Sequence, residues 1–205
     1  MYIPDHFREA RPEVLHDAMR QIGFATLVTH DVQGGLEANH LPMLLEVNQE
    51  GIAVLRGHVA RANPVWKAGE GEALAIFLGP HAYVSPNWYP SKVATGKAVP
   101  TWNYITVHAK GAIRWIQDAA WLRAHVTRLS ETHESQRPDP WKVGDAPESY
   151  VEAMLKGIVG FELPIIQLDG KYKLTQNRDE ADRDGVRAAL EREGLEELAR
   201  LMEKP

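Results

Sequence analysis

The run Arg56-Gly-His58-Val-Ala-Arg61-Ala-Asn63-Pro64 gathers the residue types that hold a phosphate. Asn63 suits a helix N-cap and Pro64 a first helical position, so the run reads as a strand end feeding a helix N-terminus. Helix N-termini expose N–H groups and a partial positive charge. Arginine adds planar, bidentate donors that stay charged. One phosphate monoester fits this arrangement. The plainer alternative is that Asn63 only caps and the arginines pair with surface acids. No GxGxxG or GxxxxGK occurs, so the usual dinucleotide and nucleotide-triphosphate cradles are absent.

Five of the 16 aromatic residues, Tyr83, Trp88, Tyr89, Trp102 and Tyr104, fall between Pro80 and Tyr104, interleaved with four prolines. Proline removes ladder donors and keeps to edges and turns, so a strand, a stiff loop and a second strand are expected. Trp and Tyr present a flat apolar face with a polar tip. That face suits a planar ligand, a partner surface or an aromatic mini-core. Asn103 is placed to hydrogen-bond a heterocycle edge. Lys92 and Lys97 flank Ala94-Thr-Gly96, either an anion-meeting lid or a solvated loop. His40 precedes Leu41-Pro42 inside a strand pattern, where proline implies an edge or bulge; it faces a ligand or satisfies nearby backbone. Nine histidines lack metal-ligand spacing, and Ser85 and Ser91 lack a nucleophile elbow.

The elements that must position these groups follow from periodicity. Residues 12–22 read as a helix, with Pro12 in the first turn and Val14, Leu15, Ala18, Met19 and Ile22 at helical spacing. Strands are expected at 24–30, 36–47 and 52–58, with turns at 31–35 and 48–51. A short helix starts at Pro64. Strands at 73–78 and 105–116 flank the aromatic loop. Asp118 caps a helix whose Trp121, Leu122, His125, Val126 and Leu129 share a face. Asp145 with Glu148 suggests a capping box for a helix through about residue 156. A strand at 157–168 is followed by a turn at Asp169-Gly170 and a strand at 171–175. Asn177 with Glu180 suggests the cap of a helical tail that Gly194 breaks. Antiparallel strands with helices at their edges suggest a small β-barrel, mainly β with peripheral helices.

Composition bounds the function. The 205 residues suit one domain, residues 1–178, with an appendage at 179–205. Without cysteine there is no disulfide, thiolate metal site or cysteine nucleophile. The start, Met1-Tyr-Ile-Pro-Asp-His-Phe, lacks the basic and apolar regions of a secretory signal, and no run nears 18 apolar residues; a cytoplasmic protein is expected. The net charge is −5, of which −4 falls in residues 179–205. Neither part is a basic nucleic-acid footprint, and no helix-turn-helix with a basic recognition helix is visible.

Several segments together resemble the PaiB-like proteins, described as FMN-binding negative transcriptional regulators. They are MYIPDHF at the start, GHVARANPVW at 57–66, GPHAYVSPNWY at 79–89, VPTWNY at 99–104, IVGFELPI at 158–165 and KLTQNR at 173–178. The resemblance runs nearly end to end. It implies a split β-barrel of the FMN-binding, pyridoxamine-phosphate-oxidase-like type, forming a homodimer with FMN at the interface. The cofactor phosphate would meet the residues around Arg56 to Asn63, chiefly His58, Arg61 and Asn63. His40 would approach the ring from the preceding strand, and Trp88, Trp102 and Asn103 would cover it. Two functions are compatible: a flavin-dependent reductase or oxidase, or a transcriptional regulator in which flavin is a sensor or absent. A haem-binding split barrel, with His40, His58 or His81 as axial ligand, is a further alternative.

Overall fold

The computed structural model describes residues 1–47 and 51–203, arranged as two compact units. One contains residues 1–22, 77–108 and 169 onward; the other contains 23–76 and 109–168. Most of the turn expected at 48–51 lies outside the described residues.

In chain order the strands are β1 (Arg8–Glu9), β2 (Phe24–His30), β3 (Leu36–Pro42), β4 (Leu44–Val47) and β5 (Ala53–Ala60). They continue with β6 (Gly71–Val84), β7 (Thr101–Ile116), β8 (Ile158–Pro164) and β9 (Gln167–Lys173). The helices are α1 (Pro12–Ile22), α2 (Ser91–Thr95), α3 (Ala119–Glu134), α4 (Glu148–Lys156), α5 (Glu180–Arg192) and α6 (Glu196–Leu201). No helix among the described residues is long and apolar enough to cross a membrane.

The hydrogen-bonded path runs β3-β2-β6-β7-β8-β5-β4, while β9 pairs with β1 and β7. β3 and β4, separated only by Met43, therefore stand at opposite ends of an unclosed sheet. In the second unit the sheet must curl so that its ends approach. Gly57 of β5 marks the approach: a Cβ there would lie 2.5 Å from the Phe161 ring and 3.3 Å from the Pro42 carbonyl oxygen. Strict alternation aims side chains to opposite faces, so Leu55, Gly57 and Val59 are buried while Arg56 and His58 point the other way. Val59, Val65 and Val159 pack with Leu41, Trp66 and Trp115, and Leu122, Val151 and Leu155 join α3 to α4. Each such fully buried Val or Leu contributes roughly 1.5–3 kcal/mol.

In the first unit Ala82 and Val84 of β6, Ile105 of β7 and Leu174 share a core with Val186, Leu190, Leu198 and Met202 of the C-terminal segment. Residues 179 onward thus supply core to that unit.

Several elements differ from the sequence expectation for local reasons. β6 and β7 extend through His81–Tyr83 and Thr101–Tyr104, so Tyr83, Trp102 and Tyr104 lie on strands and the loop is shorter. β9 runs straight through Asp169-Gly170. Gly170 is there for close packing, since a Cβ would meet Leu15 at 2.2 Å and the Glu9 carbonyl at 2.9 Å. Asp145 accepts from the Lys142 backbone N–H at 2.8 Å, and α4 has Pro147 at its N-cap. Asp179, two residues beyond Asn177, caps α5 by accepting from Asp182 N at 2.9 Å.

Candidate functional site

The outer face of β5 lies beneath α3. Arg56 donates to Glu46 of β4 and, at 2.8 Å, to Glu162 of β8, and its guanidinium sits 6.0 Å from the Trp121 ring centroid. Arg128 of α3 also pairs with Glu46. His58 Nδ1 faces His125 Nε2 at 3.1 Å, and the His125 ring stacks on Trp121 at 5.2 Å. Burial lowers the pKa of both imidazoles. That of His125 falls to about 4, by burial first and then by His58, Arg56 and Arg128. The pair is therefore neutral at pH 7, one ring donating and the other accepting. His125 Nδ1 and Arg56 Nε are buried beside it without a protein partner.

Arg61 and Asn63 turn elsewhere. Arg61 donates from Nε to the Lys156 carbonyl at 2.7 Å, from Nη2 to the Ile158 carbonyl at 3.0 Å and from Nη1 to Gln117 Oε1 at 2.7 Å. It thereby satisfies the last carbonyl of α4 and the first of β8. Three of its five N–H groups are committed and two remain. Arg61, Gln117, Leu122, Arg123, Glu148 and Lys156 border a cavity of about 590 Å³. Asn63 Oδ1 accepts from Val65 N at 3.0 Å, the expected cap, over a single 3-10 turn at Pro64–Ala68. Its Nδ2 donates to Asn39 Oδ1 of β3 at 2.6 Å. The exposed His40, next on β3, bonds Thr26 Oγ1 through Nδ1 at 3.0 Å.

The residues of the aromatic-rich stretch fall in three settings within the first unit. Trp88 and Tyr89 pack on α5: Arg178 covers the Tyr89 ring at 4.9 Å, and a Cβ on Gly185 would lie 2.3 Å from the Trp88 carbonyl. The buried carboxylate of Asp182 accepts from Ser91 N at 3.0 Å and Ser91 Oγ at 2.7 Å, fixing the start of α2. Trp102 is exposed on β7 with Tyr83 and His81 beside it. Asn103 is fully buried, and its amide exchanges hydrogen bonds of 2.8 and 3.0 Å with the Thr175 hydroxyl.

The structure thus unites Arg56 with His58, and Asn63 with the His40 segment of β3. Arg61 stands toward α4. Trp88, Trp102 and Asn103 do not share one surface. Sequence reading missed His125 as the partner of His58, although it had placed that residue on the inward face of α3.

For a flavin phosphate, the donor left at the contact of Asn63 with β3 is the second Asn63 amide N–H; the two remaining Arg61 N–H groups lie toward α4, and His40, next to Asn39 on β3, points to the opposite face. An amide N–H with a guanidinium two residues earlier in the chain is the donor chemistry that a phosphate monoester takes. Among the described residues no three His, Asp or Glu side chains gather to hold a metal.

Residues 1–167 match a family model described as a putative FMN-binding domain. The protease synthase and sporulation protein PAI 2 of Bacillus subtilis (strain 168) is 34% identical over 208 residues, covering 99% of this chain and 97% of that protein. The FAD and heme binding protein from Mycobacterium smegmatis superposes with a TM-score of 0.61 at 16% identity, over 86% of this chain and 78% of that one. The flavocytochrome Anf3 from Azotobacter vinelandii gives 0.59 at 12% identity, over 89% and 78%. These structural likenesses show the fold, a split β-barrel of the FMN-binding, pyridoxamine-phosphate-oxidase-like type.

Proposed function

The chain belongs to the putative FMN-binding domain family, with a PaiB-like relative along nearly its whole length, and on that premise we propose that it is a homodimeric FMN-binding protein acting as a flavin-dependent reductase or oxidase. The observation that carries the reading is the β3–β5 seam. There Asn63 is bonded to Asn39 beside the exposed His40, inside the segment that the family model covers. When bound, FMN supplies the electron chemistry, while the protein positions and tunes it. Asn63 donates to the phosphate through the amide N–H that Asn39 leaves free, and Arg61, two residues before it, adds a permanent charge with its uncommitted N–H groups.

The test is a fluorescence titration of the purified protein with FMN, followed by desalting and a visible spectrum. Flavin bands that survive desalting are expected. Asn63→Asp keeps the capping oxygen but removes the donor and adds a repelling charge, so FMN should bind about tenfold more weakly, roughly 1.4 kcal/mol. Unchanged affinity removes Asn63 from the site. A wild-type spectrum flat above the protein band after reconstitution ends the flavin reading.

A further inference from the structure

The cavity of about 590 Å³ beside α4 lies wholly within the second unit, walled by α3, α4 and the residues that follow β5 and β7. Its size is that of a small-molecule site. The floor is apolar. Leu122 of α3 and Leu155 of α4 are buried there, and Ala119 and Ala120 are too short to fill the space above them. The rim is charged. Arg123 of α3 is paired with Glu148 of α4, which leaves Arg61 and Lys156 against Glu152, a surplus of one positive charge. Every partner of Arg61 is neutral: the Lys156 and Ile158 carbonyls and the Gln117 side-chain oxygen. One N–H remains on each of its terminal nitrogens. Among the described residues neither Arg61 nor Lys156 forms an ion pair, although Glu152 stands one helical turn before Lys156. Two unanswered cations over an apolar floor are the recognition set of a small organic acid.

We propose that this cavity is a second ligand site, one that takes a small monocarboxylate with a short apolar body. The carboxylate accepts from the free Arg61 N–H groups and from the Lys156 ammonium, while the body lies on Leu122 and Leu155. One negative charge balances the surplus on the rim. Glu152 sets the limit, since a second carboxylate on the ligand would meet it. On the reading above, Arg61 also lends its charge to the flavin phosphate, and the same N–H groups cannot serve both ligands. Acid in the cavity therefore weakens FMN binding; this consequence, unlike the site itself, rests on the flavin reading.

The experiment is calorimetry of the full chain with three probes on one carbon skeleton: 4-methylpentanoate, 4-methylpentylamine and leucine, an anion, a cation and a zwitterion. The acid should bind saturably and about tenfold more tightly than the other two. Lys156→Met should weaken it about tenfold, and Lys156→Arg should keep it. Ala120→Phe, which fills the cavity from an exposed helix position, should abolish it; melting temperatures show whether each variant folds. FMN titrated in the presence of the acid should bind more weakly to wild type and regain its affinity in Ala120→Phe. No saturable binding of the acid by wild type, tighter binding of the amine or of leucine, or equal binding of the acid by every variant overturns the site. Acid bound with FMN affinity unmoved overturns the shared use of Arg61. Acid bound by a wild type that takes up no FMN ends the flavin reading and leaves the carboxylate site standing.

Discussion

Thr175 has φ of +65°, a left-handed conformation that a β-branched side chain adopts at a cost. Its hydroxyl explains why it is kept there, since it both donates to and accepts from the buried Asn103 amide. Thr175→Val keeps the branched shape and strain but leaves that amide without its partner. It should lower stability by about 2 kcal/mol. Thr175→Ser keeps the hydroxyl and relieves the branch, so it should fall within about 0.5 kcal/mol of wild type. Urea midpoints of the two variants check this, and equal losses would put the cost in backbone strain alone. The sequence marked Asn103 as a polar residue at a strand start, suited to a ligand edge. Its partner lies 72 positions away, and no periodicity reports a partner at that distance. Gly170 was misleading for the opposite reason. Asp-Gly is a strong turn signal, but here the missing side chain makes room for Leu15.

Among the elements, α1 and β2 match their expected bounds because proline in a first turn and clean alternation are local signals. The inward face of α3 was legible too, but what lies beneath it was not. Under α3 the neutral His58–His125 pair faces Arg56 on the same strand as His58, Glu46 on β4 and Glu162 on β8, with Arg128 on α3 itself. The pKa of His125 is about 4 in the folded protein against 6.5 for a free histidine, and that of His58 is lowered as well. The unfolded chain therefore binds protons that the folded one refuses. The stabilisation is complete above pH 6.5, is lost as the pH falls toward 4, and amounts to about 3 kcal/mol for His125. His125→Phe keeps a ring on Trp121 and removes the proton site. Its urea midpoint should fall distinctly less than that of wild type between pH 7.5 and pH 4.5; parallel losses would assign the acid sensitivity to other groups.

At the scale of the molecule, charge set residues 179–205 apart as an acidic helical appendage, because nine of its side chains are acidic. Charge describes the outward face of a helix and is silent about Val186, Leu190, Leu198 and Met202, which complete the core of the first unit. A chain ended after Asn177 should expose Ala82, Val84 and Ile105. It should bind a hydrophobic dye such as ANS and melt without a cooperative transition in that unit. A sharp, unshifted transition would return the segment to the role of a tail. The aromatic-rich stretch was likewise seen as a unit, yet its rings divide between a helix-packed group and an open sheet face. Composition counts rings without saying which side of a strand each one occupies.

The order β3-β2-β6-β7-β8-β5-β4 also sets how far apart in the chain the paired strands lie. β2–β3 and β4–β5 are local hairpins that can form early and apart. Met43 ties them together, yet they stand at opposite ends of the path, with β6, β7 and β8 between them. Closure therefore depends on contacts between residues far apart in the chain, the kind that slows folding most. One methionine thus joins two local hairpins whose remaining partners come from strands far along the chain.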